Sequence, residues 1–172
     1  MELELVYPDG TIARHPAGVT GAEVAGTIGA RLAKAAVAVS VDGELLDMDR
    51  PLTKGGKFEV VTENTESGRH ITRHSAAHIL AQAVLDLFPG AHFAIGPPIE
   101  DGFYYDFDIG RPFTPEDLET LSARMTEIVA TDQPFQRESM GRGQALELFA
   151  DQPFKREIIE GVDPTESRTT PR

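Results

Sequence analysis

The chain has 172 residues, 40% apolar and 26% charged, with a net charge of −12 and no cysteine. Those proportions belong to one ordinary globular domain or two small ones, and they exclude a disordered chain, a disulfide framework and any thiolate metal site. Residues 1–5 form no signal segment and no apolar run reaches the ~18 residues of a membrane span, so a cytoplasmic protein is expected.

Residues 2–7 alternate Leu3, Leu5 and Tyr7 against Glu2, Glu4 and Val6, the pattern of an edge strand with one buried face. Pro8-Asp9-Gly10 turns the chain, because Pro presets φ and Gly accepts φ > 0, and a second strand runs from Thr11 to His15. Thr20 and Glu23 make a capping box, with Val19 and Val24 as a hydrophobic staple, so a helix starts at Gly21. Gly26 and Gly29 keep it short, and a second helical turn covers Arg31–Lys34. Val37–Val41 reads as a buried strand, Asp42-Gly43 turns it into a short arm ending near Leu46, and Lys57–Thr62 is a final strand. This order within about 62 residues suits a β-grasp, ubiquitin-like fold, with another small α+β module as the alternative.

The polar run Glu63–Gly68 reads as the joint between two domains. The helix that follows stops at Pro89-Gly90. At ~100° per residue it stacks His74 above His78, with Ala81 and Leu85 on the same stripe. Ala76, Leu80, Ala83, Val84 and Leu87 form a core-facing arc beside it. Two imidazoles at the edge of a buried face suit a pocket wall, although a hydrogen-bonded structural pair has the same spacing. Metalloprotease chemistry is unsupported, because Ser75 stands where that motif needs Glu. Half of a tetrahedral zinc site remains open, its other ligands to come from elsewhere.

His92–Ile99 and Phe103–Ile109 are expected as strands around the Asp101-Gly102 turn, the first interrupted by Gly96-Pro97-Pro98. Thr114 caps a helix that has Pro115 at its first position and Glu116 and Asp117 in its first turn. Phe113 and Leu118 can staple it, and Leu118, Leu121, Met125 and Ile128 form its core stripe. Phe135–Ser139 is expected as a strand, Gln144–Phe149 as a short helix and Pro153–Ile159 as a last extended or helical segment. Residues 163–172 lack large apolar side chains and are expected to be disordered. No nucleotide-binding loop or serine nucleophile elbow is found. Lys and Arg are scattered, so any contact with nucleic acid should be weak and local.

Three stretches together carry a resemblance: Arg73-His74-Ser75-Ala76-Ala77-His78-Ile79-Leu80, Ala94-Ile95-Gly96-Pro97 and Asp101-Gly102-Phe103-Tyr104-Tyr105-Asp106. In this order they resemble the editing domain of bacterial-type threonyl-tRNA synthetase. Tyr7-Pro8-Asp9-Gly10 and Val41-Asp42-Gly43-Glu44-Leu45 resemble the TGS domain that opens the same enzymes. The likeness is expected to cover about residues 1–162. It implies an α+β chain: a β-grasp TGS domain at 1–63, then at 69–162 an incomplete editing domain whose His-bearing helix packs on an antiparallel sheet.

The resemblance implies a function. The family joins threonine to its tRNA with ATP and magnesium at a zinc-containing domain downstream, forms homodimers through that missing portion, and hydrolyses mischarged seryl-tRNA in the editing pocket. Transferred residue by residue, it makes His74, His78 and Lys155 catalytic and Tyr105 and Arg73 substrate-binding, while Tyr105 has a packing role open to it as well. The family's downstream Cys and His motif is absent, since the chain has no Cys and no His after His92. The expectation is therefore an N-terminal piece with no cofactor of its own, weak tRNA binding and little deacylation alone. Two alternatives stand beside it: a stand-alone RNA- or protein-binding module, and a trans-acting deacylase with a metal held by His74, His78 and carboxylates.

Overall fold

The computed structural model describes residues 2–135, 137–161 and 170–171. The chain divides into two compact units, the first ending at Arg73 and the second beginning at His74.

In the first unit, β1 (Glu2–Val6) and β2 (Ile12–Pro16) form the expected hairpin. The helix α1 (Gly21–Ile28) starts where the capping box places it: Thr20 Oγ1 accepts from the Glu23 N–H at 3.2 Å, and the Glu23 carboxylate accepts from the Thr20 N–H at 2.8 Å. After α2 (Ala30–Ala35), β3 (Ala36–Val41) turns at Asp42-Gly43 into β4 (Glu44–Leu46). Both turn residues have positive φ, 51° and 83°, as a two-residue hairpin requires. Asp42 also accepts from the Lys57 N–H, tying the turn to β5 (Gly56–Thr62).

The sheet order is β2-β1-β5-β3-β4, with β1 and β5 parallel and the other pairs antiparallel. Leu3, Leu5, Val39, Val41 and Phe58 from this sheet are buried with Val19 and Val24 in one core. A five-stranded mixed sheet with a helical crossover is the β-grasp arrangement. One expectation fails here. β1 is no edge strand, because β2 flanks one side and β5 the other. On that side the edge is β2, whose Ile12 is 62% exposed.

The polar run read as a joint is instead the start of a helix, α3 (Glu66–Leu87). Thr65 Oγ1 accepts from the Gly68 N–H at 3.0 Å, so the run supplies a helix cap rather than a linker. The boundary between the units falls inside α3.

In the second unit, Ala83 and Val84 of α3 share a core with Leu121 and Ile128 of α4 (Pro115–Ala130). The expected pair of long strands is broken into two-residue ladders. β6 (His92–Phe93) and β7 (Pro98–Ile99) lie on one arm, and β8 (Gly102–Phe103) and β9 (Phe107–Asp108) on the other. β6 pairs with β9 and β7 with β8. Gly96-Pro97-Pro98 offers a single backbone N–H, so a continuous ladder cannot form through it. α3 therefore shares its core chiefly with α4, and Phe107 of β9 is the strand residue packed there.

Thr114 and Asp117 cap α4 reciprocally, and Arg111 donates to both Asp117 oxygens, which holds that carboxyl far below the usual carboxylate range. Leu118 is 58% exposed and belongs to neither the staple nor the core stripe. Phe113 packs on Phe88 and Phe107 instead. Of the strand expected at Phe135–Ser139, only β10 (Arg137–Glu138) forms. Then come α5 (Arg142–Leu148), α6 (Pro153–Gly161) and β11 (Thr170–Pro171), which pairs with β10. Of the tail expected to be disordered, residues 163–169 and 172 lie outside the described residues. Among the described residues no helix is long and apolar enough to cross a membrane.

Candidate functional site

One turn of α3 separates His74 from His78, and their rings stack at 4.8 Å between centroids, 20° from parallel. The small residues Ser75, Ala76 and Ala77 between them leave room for that stack. His78 is half-buried, and its Nε2 has no hydrogen-bond partner among the described residues. Burial, then the positive charges of His74 and Lys155, push its pKa down to about 4. The imidazole is thus neutral at pH 7, with one nitrogen turned away from solvent and unsatisfied.

His78 lies on the wall of a cavity of about 590 Å³, within the range of small-ligand pockets. Ala81 and Leu85 extend the same wall along α3, as the stripe predicts. Phe93, Tyr105, Phe135 and Lys155 line the same cavity, the Phe135 ring meeting His78 edge-on at 6.3 Å. The Lys155 Nζ sits 5.0 Å from the centre of the Phe93 ring, a cation–π contact, and burial lowers its pKa. Burial also raises the pKa of Tyr105, so its hydroxyl stays protonated and able to donate.

The ring of Tyr105 stacks on Phe107 at 4.7 Å and meets Phe93 edge-on at 6.2 Å. It can lie there only because position 96 is Gly: a Cβ would stand 2.1 Å from the Tyr105 Cδ2. The Gly96-Pro97-Pro98 interruption therefore has two effects, breaking the ladder and leaving space for an aromatic wall.

The structure brings His78, Tyr105 and Lys155 to one cavity and stacks His74 behind His78. It does not bring Arg73 to that wall. Arg73 closes the first unit, one residue before His74. Sequence reasoning missed Gln152, which precedes α6. Its amide donates to the Ala91 carbonyl at 3.1 Å and accepts from the Phe93 N–H at 3.2 Å. It also missed the Gln133–Gln82 bond of 2.6 Å, which fastens the segment after α4 to α3. Neither contact leaves a local sequence signal, since the partners are 51 to 61 residues apart.

Among the described residues no group of three His, Asp or Glu side chains could hold an ion.

Residues 4–62 match the family model of the TGS domain. The first unit carries a TGS domain. The whole chain is 46% identical to the threonine--tRNA ligase of Phenylobacterium zucineum, over 99% of this chain and 26% of that protein. It is 43% identical to the threonine--tRNA ligase of Granulibacter bethesdensis, over 98% of this chain and 26% of that protein. With the threonine--tRNA ligase of Symbiobacterium thermophilum it shares 47% identity, over 87% of this chain and 23% of that protein. The chain thus resembles the N-terminal region of these ligases and spans about a quarter of their length. The likeness was expected to fade after Val162, but an alignment covering 99% of the chain runs into its last ten residues beyond the TGS domain and the cavity.

Proposed function

We propose that this chain acts as the N-terminal portion of a cytoplasmic threonine--tRNA ligase, contributing to tRNA binding and supplying one wall of a pocket that hydrolyses mischarged seryl-tRNA. The observation that carries this reading is the cavity shared by His78, Tyr105 and Lys155, three residues that the resemblance had selected from separate parts of the sequence. A separate proofreading pocket has a physical purpose. A site built for threonine rejects serine only by a missing methyl group, worth about 1–3 kcal/mol.

In this reading the seryl ester enters beside His78. An imidazole with a pKa of about 4 is neutral at pH 7 and is too weak a base to take the full proton of a water molecule. With its Nε2 shielded from solvent, the ring serves instead as the wall against which the ester is held. Lys155 offsets the negative charge that develops on the carbonyl oxygen as water adds. Tyr105 lines the pocket and can donate to the substrate. ATP, magnesium, zinc and the dimer contacts are left to parts of the ligase outside this sequence.

The test is hydrolysis of seryl-tRNA and binding of a non-hydrolysable seryl-adenosine amide by the purified chain. The amide binds, with affinity lost in His78→Ala, while ester hydrolysis by this chain alone stays near background. Rapid turnover that His74→Ala abolishes would contradict the incomplete-pocket reading. Binding of tRNA should fall only gently with salt, a log–log slope no steeper than about −3, since few cations are grouped. A stand-alone RNA-binding module would bind tRNA with the same gentle slope and show no affinity for the amide.

A further inference from the structure

We propose that Gln152 is a positioning residue that sets where Lys155 stands in the cavity, an inference that rests on the reading of that cavity as the hydrolytic pocket. Gln152 precedes α6 by one residue, and the Arg156 N–H donates to its carbonyl at 3.0 Å in the first turn of that helix. Its side chain does not cap the helix. It reaches across to the chain before and within β6, donating to the Ala91 carbonyl at 3.1 Å and accepting from the Phe93 N–H at 3.2 Å. Pro153, with its fixed φ, follows immediately, so the direction in which α6 leaves this anchor has little freedom.

The consequence falls on the residues one helical turn in. Phe154 meets His92 edge-on at 6.5 Å, and Lys155 places its Nζ over Phe93, the residue whose N–H Gln152 holds. The amide thus clamps both partners of the cation–π contact: the strand that carries the ring and the helix that carries the amine. A glutamine is needed because both bonds are made by one side chain, one as donor and one as acceptor. Glutamate retains the acceptor and loses the donor. Methionine retains the length and loses both.

The test uses the full chain with 13C- and 15N-labelled lysine, comparing wild type with Gln152→Met and Gln152→Glu, folding being checked by circular dichroism. In the wild type the Lys155 ε-protons should show the upfield shift of a group over an aromatic ring, and the amine should titrate below an ordinary lysine. In Gln152→Met both signatures should move toward those of a free lysine, and affinity for the seryl-adenosine amide should fall by roughly three- to tenfold. Gln152→Glu should lie between. If Gln152→Met does not fold, the same comparison rests on Gln152→Glu. Lys155 signals unchanged in a folded variant would overturn the proposal whatever the ligand does. Lys155 signals that move while even the wild type ignores the amide would uphold the clamp and contradict the hydrolytic reading instead.

Discussion

The two units solve the problem of burial differently. The first spreads its core across a continuous five-stranded sheet, where Leu5, Val39, Val41 and Phe58 are almost wholly shielded from water. The second has ladders of two residues and builds its core from α3 and α4, closing the rest with stacked and edge-on aromatic rings. Its reward is an open cavity in which a neutral histidine and a desolvated lysine face a common space. Tight packing leaves no room for chemistry, and the unit that packs less tightly carries the candidate site.

Mutations can break that contrast at graded cost. The largest effect is expected for Phe58→Ala, which should destabilise the first unit by about 3–5 kcal/mol through the cavity it leaves. Chemical denaturation followed by hydrogen exchange should show protection lost in β1, β3 and β5 and retained in α4. Gly96→Ala comes next, at roughly 1–3 kcal/mol on the second unit alone, because its methyl group overlaps the Tyr105 ring. The same variant should lose affinity for the seryl-adenosine amide, measured by calorimetry. Thr114→Ala should cost about 1 kcal/mol by removing the α4 cap, read as a lower midpoint of the second unit's urea transition.

The second unit should also show a pH dependence. His78 has a folded-state pKa of about 4 against an ordinary value of 6.5, so the unfolded chain binds the extra proton first. Stability of the second unit should be full above about pH 6.5, decline as pH falls toward about 4, and change no further on this account below that. Melting curves of wild type and His78→Gln at pH 7 and pH 4.5 check it. The wild type should lose more stability than the variant over that interval.

Local chemistry was legible in the sequence, and long-range packing was not. The Thr20–Glu23 box, the Asp42-Gly43 turn and the Thr114 cap each depend on residues within a few positions, and each forms as read. The His stripe also depends only on helical spacing, and His78, Ala81 and Leu85 line one wall. Leu118 failed because periodicity marks which residues share a face but does not say how much of that face another element covers. Glu63–Gly68 failed because a polar run with Gly describes a linker and a helix cap equally well. For the cavity, spacing gave His78, while His74 stacks on it without lining the space, and Lys155 and Tyr105 came from resemblance. Gln152 came from neither, since its two bonds join segments about sixty residues apart.

The most direct test of the account is a long-range 1H–15N spectrum of the His78 side chain at pH 6, with and without the seryl-adenosine amide. The account predicts a neutral imidazole in both spectra, with its ring resonances displaced when the ligand fills the cavity that His78 lines. A doubly protonated His78 at that pH, or ring signals unmoved by saturating ligand, would contradict it.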